Sequence, residues 1–144
     1  MRKIYPVLSL LSLLVLMAPS CRTSRFMPDD YTGKQLKAGT SGGAAGTFSE
    51  CVLLDDGYLF RRKGVASPWE PAGKVRSSKV EEIFDKALAN GLDTLRINDP
   101  GNLSFHLTLV TPGHSNRILW GGRQMQIPGN IRELFDELNA LCQP

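Results

Sequence analysis

The sequence predicts a two-layer α+β domain: a four-stranded antiparallel sheet with two helices packed on one face, in the order β-β-α-β-β-α. Three observations carry that expectation. Two pairs of short apolar runs are each split by a turn signal, Asp55-Asp56-Gly57 in the first and Pro112-Gly113 in the second. Each pair is followed by an amphipathic stripe at helical spacing, Val80 to Leu88 and Ile131 to Leu141. Finally, Glu82-Ile83-Phe84-Asp85 matches Glu133-Leu134-Phe135-Asp136, which points to an internal duplication. A lone hairpin cannot bury its apolar face, and two helices laid on a four-stranded sheet would cover it.

Taken in order, the chain opens with a leader. Arg2 and Lys3 precede a run from Val7 to Met17 that is apolar except for Ser9 and Ser12, and Ala18-Pro19-Ser20 leads to Cys21. A basic start, a short apolar stretch and small residues at the cut describe a secretory signal, too short to span a bilayer. Arg22 to Gly46 lacks sustained apolar periodicity and ends in Gly39-Thr40-Ser41-Gly42-Gly43-Ala44-Ala45-Gly46. It reads as a flexible tether with a reach of roughly 25–30 Å. No Gly-Lys-Ser/Thr follows these glycines, so they read as linker or strand entry, not as a phosphate loop. The expected organisation is therefore leader 1–20, Cys21 with its tether 21–46, and one globular domain 47–144.

Within that domain, Phe48 to Leu54 and Tyr58 to Arg62 form a hairpin around Asp-Gly. Lys63 to Val75 reads as a loop carrying Pro68, Trp69 and Pro71. Ser78-Lys79-Val80-Glu81 has the capping-box form, and Val80, Ile83, Phe84, Ala87 and Leu88 make the stripe of the first helix. Asn90-Gly91 ends it as a left-handed cap would. Leu95 and Ile97 read as a short edge strand. Phe105, Leu107 and Leu109 then alternate with polar Ser104, His106 and Thr108, the pattern of a strand with one buried face. Arg117 to Trp120 returns as its partner. Asn130 caps the second helix, with Glu133 three residues on and Ile131, Leu134, Phe135, Leu138 and Leu141 as its stripe.

Charge excludes one class of partner. The whole chain has 17 basic and 14 acidic residues. Without Arg2 and Lys3 of the leader, fifteen basic residues face fourteen acidic ones. Without Arg22, Arg25, Lys34, Lys37, Asp29 and Asp30 of the tether, eleven face twelve. A near-neutral domain lacks the field that nucleic-acid binding relies on.

Motifs for chemistry are sparse. His106 and His114 are the only histidines, and no Cys-x-x-Cys or His-Glu-x-x-His occurs, so no metal or cofactor is expected. His106 is expected on a solvated strand face and His114 in a turn. No Gly-x-Ser-x-Gly elbow occurs, and no catalytic residue is assigned. Asp55-Asp56-Gly57 is explained by a turn without calcium. Glu81, Glu82, Glu133, Asp136 and Glu137 read as solvated helix surface. With Cys21 set aside, Cys51 and Cys142 remain, either bridged across the two ends of the domain or packed as two buried thiols. Trp69, Trp120 and Arg123 are the candidate binding residues, because Trp and Arg are enriched among binding anchors; for both tryptophans, a place in the core is the alternative.

The leader and its Cys21 resemble a bacterial lipoprotein signal, in which that cysteine receives a diacylglycerol. The resemblance implies lipidation of Cys21, palmitate among its acyl chains, and a membrane held through the anchor. Arg22 after Cys21 resembles outer-membrane-directed lipoproteins, which implies the periplasmic leaflet of the outer membrane. Gly42-Gly43-Ala44-Ala45-Gly46, Asn98-Asp99-Pro100-Gly101-Asn102, Trp120-Gly121 and the stretch from Ile127-Pro128 to Leu141 resemble an uncharacterised family of small Bacteroidota-type lipoproteins. The Gly-Gly-x-x-Gly lead-in, two hairpins and Pro-led terminal helix are also similar to emfourin-type inhibitors of thermolysin-like metalloproteases. The expectation is a non-enzymatic binding module with a protein partner in the envelope, or a protease inhibitor of that type. The third expectation, an enzyme, requires His106 to meet Asp99 or another acid in a pocket.

Overall fold

A computed structural model describes residues 26–143, and Cys21 and the leader lie outside them. The fold is α+β, but its sheet is not the one expected. Four strands, β1 Gln35–Gly42, β2 Thr47–Leu54, β3 Tyr58–Lys63 and β4 Glu70–Lys74, precede helix α1, Ser77–Ala89. Three more, β5 Asn98–Asp99, β6 Leu103–Thr111 and β7 His114–Trp120, precede helix α2, Gly129–Leu141. They form one seven-stranded sheet in the order β4-β3-β2-β1-β6-β7-β5. All neighbours are antiparallel except β5 and β7, so the sheet is mixed. The four-stranded antiparallel sheet and the ββαββα duplication are thus overturned, since four strands lead to one helix and three to the other.

The largest correction concerns the tether. Gln35–Gly42 is the middle strand of the sheet, paired with β2 on one side and β6 on the other. Of the glycine stretch, Gly39 to Gly42 belongs to β1 and Gly43 to Gly46 is the hairpin turn into β2. Phe26 to Lys34 is bound to the domain as well: Gln35 Nε2 donates to the carbonyls of Pro28 and Tyr31, and Asp55 accepts from the Tyr31 hydroxyl and the Lys34 amide. The domain therefore starts by Phe26, not Thr47. Counted from there, thirteen basic residues face fourteen acidic ones, so the near-neutral balance stands.

Strand alternation sorts the sheet into two faces. On one face Leu36, Leu53, Leu107, Leu109 and Ile118 meet Ile83 of α1 and Ile131, Leu134 and Leu138 of α2, all essentially inaccessible. Each such side chain taken from water contributes about 1.5–3 kcal/mol. On the other face Val52, Leu54, Phe60 and Trp69 form a smaller cluster against Tyr31 and Tyr58.

The expected stripe of α1 is buried at Val80, Ile83, Phe84 and Ala87, while Leu88 is exposed. The caps differ from expectation. Arg76 and Pro128 hold the N-cap positions, and neither makes a side-chain cap bond, so Ser78 and Asn130 fall inside their helices. Asn130 instead donates to Asn90 Oδ1 at 2.9 Å, joining the start of α2 to the end of α1. Gly91 does end α1 in the left-handed region (φ +69°). The Leu92 amide then reaches back to the Ala87 carbonyl and the Gly91 amide to that of Leu88, a Schellman closure. The edge strand lies at Asn98–Asp99 rather than at Leu95 and Ile97. The loop after Lys63 contains β4, whose Pro71 is tolerated because β4 is a sheet edge.

Candidate functional site

Two sites are built from residues on opposite faces of the sheet. The first is a row of polar side chains on the face away from the helices. Register places Arg62, Glu50, Gly39 and His106 side by side on β3, β2, β1 and β6. Arg62 Nη2 and Nε contact Glu50 Oε2 at 2.6 and 3.0 Å, and His106 Nε2 lies 3.1 Å from Glu50 Oε1. That reach spans β1, and only glycine permits it: a Cβ on Gly39 would sit 2.5 Å from both His106 Cε1 and the Ser49 carbonyl oxygen. Phe48 stacks near His106, and the Arg62 guanidinium lies 5.4 Å from the Phe48 ring centre and 4.3 Å from that of Trp69.

His106 was expected to be solvated, yet only 1% of it is exposed. It meets an acid, but that acid is Glu50, and both residues are buried. Asp99 is elsewhere, its Oδ2 accepting from the amides of Gln124 and Met125 at 3.0 and 2.8 Å. Burial pushes the Glu50 carboxyl up, but the hydrogen bonds from His106 and Arg62 and the Arg62 charge outweigh it, holding Glu50 below the usual carboxylate range. The row is an Arg62–Glu50 ion pair closed by a hydrogen bond to His106, whose Nδ1 is buried with no hydrogen-bond partner among the described residues. Among the described residues, no group of three or more His, Cys, Asp or Glu is placed to hold a metal ion.

The second site is a groove on the helix face. The inner residues of β1, β2 and β3 are Ala38, Cys51 and Arg61 on one rung and Thr40, Ser49 and Lys63 on the next. The switch from apolar to polar marks the point where α2 stops covering the sheet. There a cleft of about 590 Å³ opens, lined by Thr40, Ser49, Arg61 and Lys63 below and by Asp136 and Asn139 of α2 above. Thr40 pairs across β1 and β6 with Phe105, and Phe105 with Trp120. Those two aromatics line a second cleft of about 430 Å³ with Met125, Ile127 and Arg132. Arg132, Asp136, Asn139 and Gln143 follow at spacings of 4, 3 and 4 residues, so one flank of α2 forms a wall common to both clefts.

The sequence candidates are dispersed. Cys51 and Cys142 are joined by a disulfide at the foot of the groove, with Cα atoms 6.1 Å apart. Trp69 is buried in the small cluster of the opposite face, its Nε1 donating to Asp29 Oδ2 at 3.1 Å. Trp120 is 5% exposed and packs edge-on against Phe135, with ring centres 5.2 Å apart. Arg123 is exposed on the loop beyond it. Trp69 and Trp120 therefore sit in separate cores and share no site. Two of the helix carboxylates expected to be solvated, Glu82 and Glu137, are shared by Lys79 and Lys86; the bonds from Lys86 and Lys79 take the Glu82 carboxyl down to about 2. Arg61, Lys63 and Asn139 were missed. For Arg61 and Lys63 the signal was present in the break from apolar Leu59 to cations at alternate strand positions, whereas Asn139 lies on α2 and has no such signal.

The fold and its relief define an α+β domain with two clefts in line along the open flank of its C-terminal helix, together termed the groove. No protein-family model and no curated protein matches the chain.

Proposed function

We propose that this protein is a non-enzymatic binding module of the bacterial cell envelope, anchored through acylated Cys21 and facing the periplasm. The observation that carries this reading is the contrast in accessibility between the two sites. The side chains with the strongest acid–base chemistry, Glu50 and His106, are buried against each other, whereas the accessible relief is a groove of mixed apolar and polar character. The anchor supplies location. Four residues lie between Cys21 and Phe26, five Cα steps with a reach of at most about 18 Å, so the domain would be held close to the bilayer. Among the described residues, no helix is long and apolar enough to cross a membrane.

The test has two arms in the native cell. Labelled palmitate should enter the protein and be absent from Cys21→Ser. A photo-crosslinking residue placed at Asn139 should give discrete adducts that one at Arg117, exposed on the opposite face, does not. An unlabelled protein recovered in the aqueous fraction removes the anchor, and equal adducts from both positions remove the groove.

A further inference from the structure

We infer that the groove along α2 takes an extended peptide bearing a carboxylate, with an apolar side chain at the Trp120 end and the carboxylate at the Arg61–Lys63 end. This rests on the binding-module reading and names its ligand. The helix crosses the strands: its start lies beside the loop after β7, and the Cys142 just past its end is bonded to Cys51 of β2. Its open flank therefore runs parallel to the rung Lys63, Ser49, Thr40, Phe105, Trp120. A 13-residue helix is about 20 Å long, the span of about six residues of extended chain.

Chemistry changes along that length. At one end Phe105, Trp120 and Phe135 form an aromatic cluster beneath Met125, which is 46% exposed. The Asp99 carboxylate fixes the loop that carries Met125, so this end is pre-shaped. In the middle, the Thr40 and Ser49 hydroxyls bond each other at 2.8 Å and Asn139 offers an amide. At the far end Lys63 is exposed, and Arg61 is paired only loosely with exposed Glu70, for which a ligand carboxylate would substitute. Asp136 across the cleft is the one opposing charge of its lining on α2. The Arg61 Nε is buried with no hydrogen-bond partner among the described residues, the Glu70 carboxylate is 3.6 Å away, and Nη1 reaches only the Cys142 carbonyl at 3.5 Å. A guanidinium and an ammonium on adjacent rungs suit a carboxylate. A glycan is the poorer occupant, because sugars stack on open aromatic faces and Trp120 is 5% exposed.

The probe is a set of fluorescein-labelled hexapeptides with Phe or Leu first, a randomised middle, and three ends: free acid, amide, and amide preceded by glutamate. Fluorescence polarisation with the full-length protein in detergent should show binding of one or both carboxylate-bearing sets and not of the plain amide. Binding of the free acid alone assigns a chain terminus, and binding of the glutamate amide alone assigns a side chain. Lys63→Glu should weaken binding by about tenfold or more, as the loss of an anchor does, while Arg117→Gln on the opposite face leaves it unchanged. Lys63 is exposed, so its variant keeps the test intact even where Arg61→Gln fails to fold. Equal binding of all three sets, no binding, or indifference to Lys63→Glu overturns the inference, as does capture of soluble cell-wall glycan strands in place of the peptides. Any of these with position-specific crosslinks at Asn139 leaves the binding-module reading standing, whereas loss of the crosslinks removes that reading itself.

Discussion

The two faces of the sheet solve burial differently. The helix face is apolar and continuous, and it is covered by side chains placed at helical spacing. The opposite face joins a four-residue apolar cluster to a hydrogen-bonded row, Arg62–Glu50–His106, built on an Arg62–Glu50 ion pair, covering strands with no helix laid over them. Apolar packing tolerates exchange of shape, since no single atom is indispensable. A buried ion row does not, because each member leaves the others uncompensated when removed. The faces should therefore fail in different ways.

The largest effect is expected at the seam of the helix face. The Cys51–Cys142 disulfide joins residues 91 apart in sequence, fastening the end of α2 to β2. Closing so long a loop stabilises by roughly 4–5 kcal/mol in the chain-entropy model. The double variant Cys51→Ser, Cys142→Ser should lose about that much in denaturant unfolding, with far-UV circular dichroism retained at low denaturant. A loss below about 1 kcal/mol would mean that apolar packing alone holds α2 in place.

Next comes the ion row. Glu50→Ala should cost about 3 kcal/mol, the low end for a buried pair, because His106 stays buried and Arg62 half-buried without their acid. The acid limb of stability separates this from simple loss of packing. Glu50 titrates lower in the folded state than its ordinary 4.5, so its contribution is complete above that value and disappears as pH falls through the folded value. Glu82 and Glu137 are lowered too and add to the same limb, so the informative quantity is the difference between wild type and Glu50→Gln. Wild type should lose more stability on acidification. Parallel curves would show that the row is electrostatically idle.

The difference between the faces also explains what could be read from the sequence. The helix stripes were legible because a period of 3.6 is local, and Val80, Ile83, Phe84 and Ala87 are buried as their spacing demands. β1 was not legible. It brings only Leu36 and Ala38 to the core, and its Gly39, Gly42 and polar residues look like linker until β2 and β6 are placed on either side. Gly39 has a meaning that only register reveals, for it lies under the contact between His106 and Glu50. β4 was hidden by Pro71 and Gly73, residues that an edge strand accepts. The groove was half legible. Alternate positions turn polar at Thr40, Ser49 and Lys63, but that they share one rung depends on pairings set by long-range contacts. Trp69 and Trp120 drew notice by size, and size is what placed both in cores.

The smallest expected effect sharpens the comparison at the open face. Trp69→Phe keeps an aromatic ring beside Val52, Leu54 and Phe60 but deletes the Nε1 donor to Asp29, a bond that joins the residues before β1 to the loop before β4. A partly buried neutral donor to a carboxylate contributes on the order of 1 kcal/mol, so global stability should fall only by about that amount. The local consequence should exceed the global one. Phe26 to Lys34 is held by few bonds, and one lost contact shifts its opening equilibrium without unfolding the sheet. Limited proteolysis within Phe26–Lys34 should therefore accelerate in Trp69→Phe while cleavage within β6 does not. If both sites were cut at unchanged rates, the opposite face would owe its closure to the Val52–Leu54–Phe60 cluster and the ion row, and the Asp29 contact would be incidental.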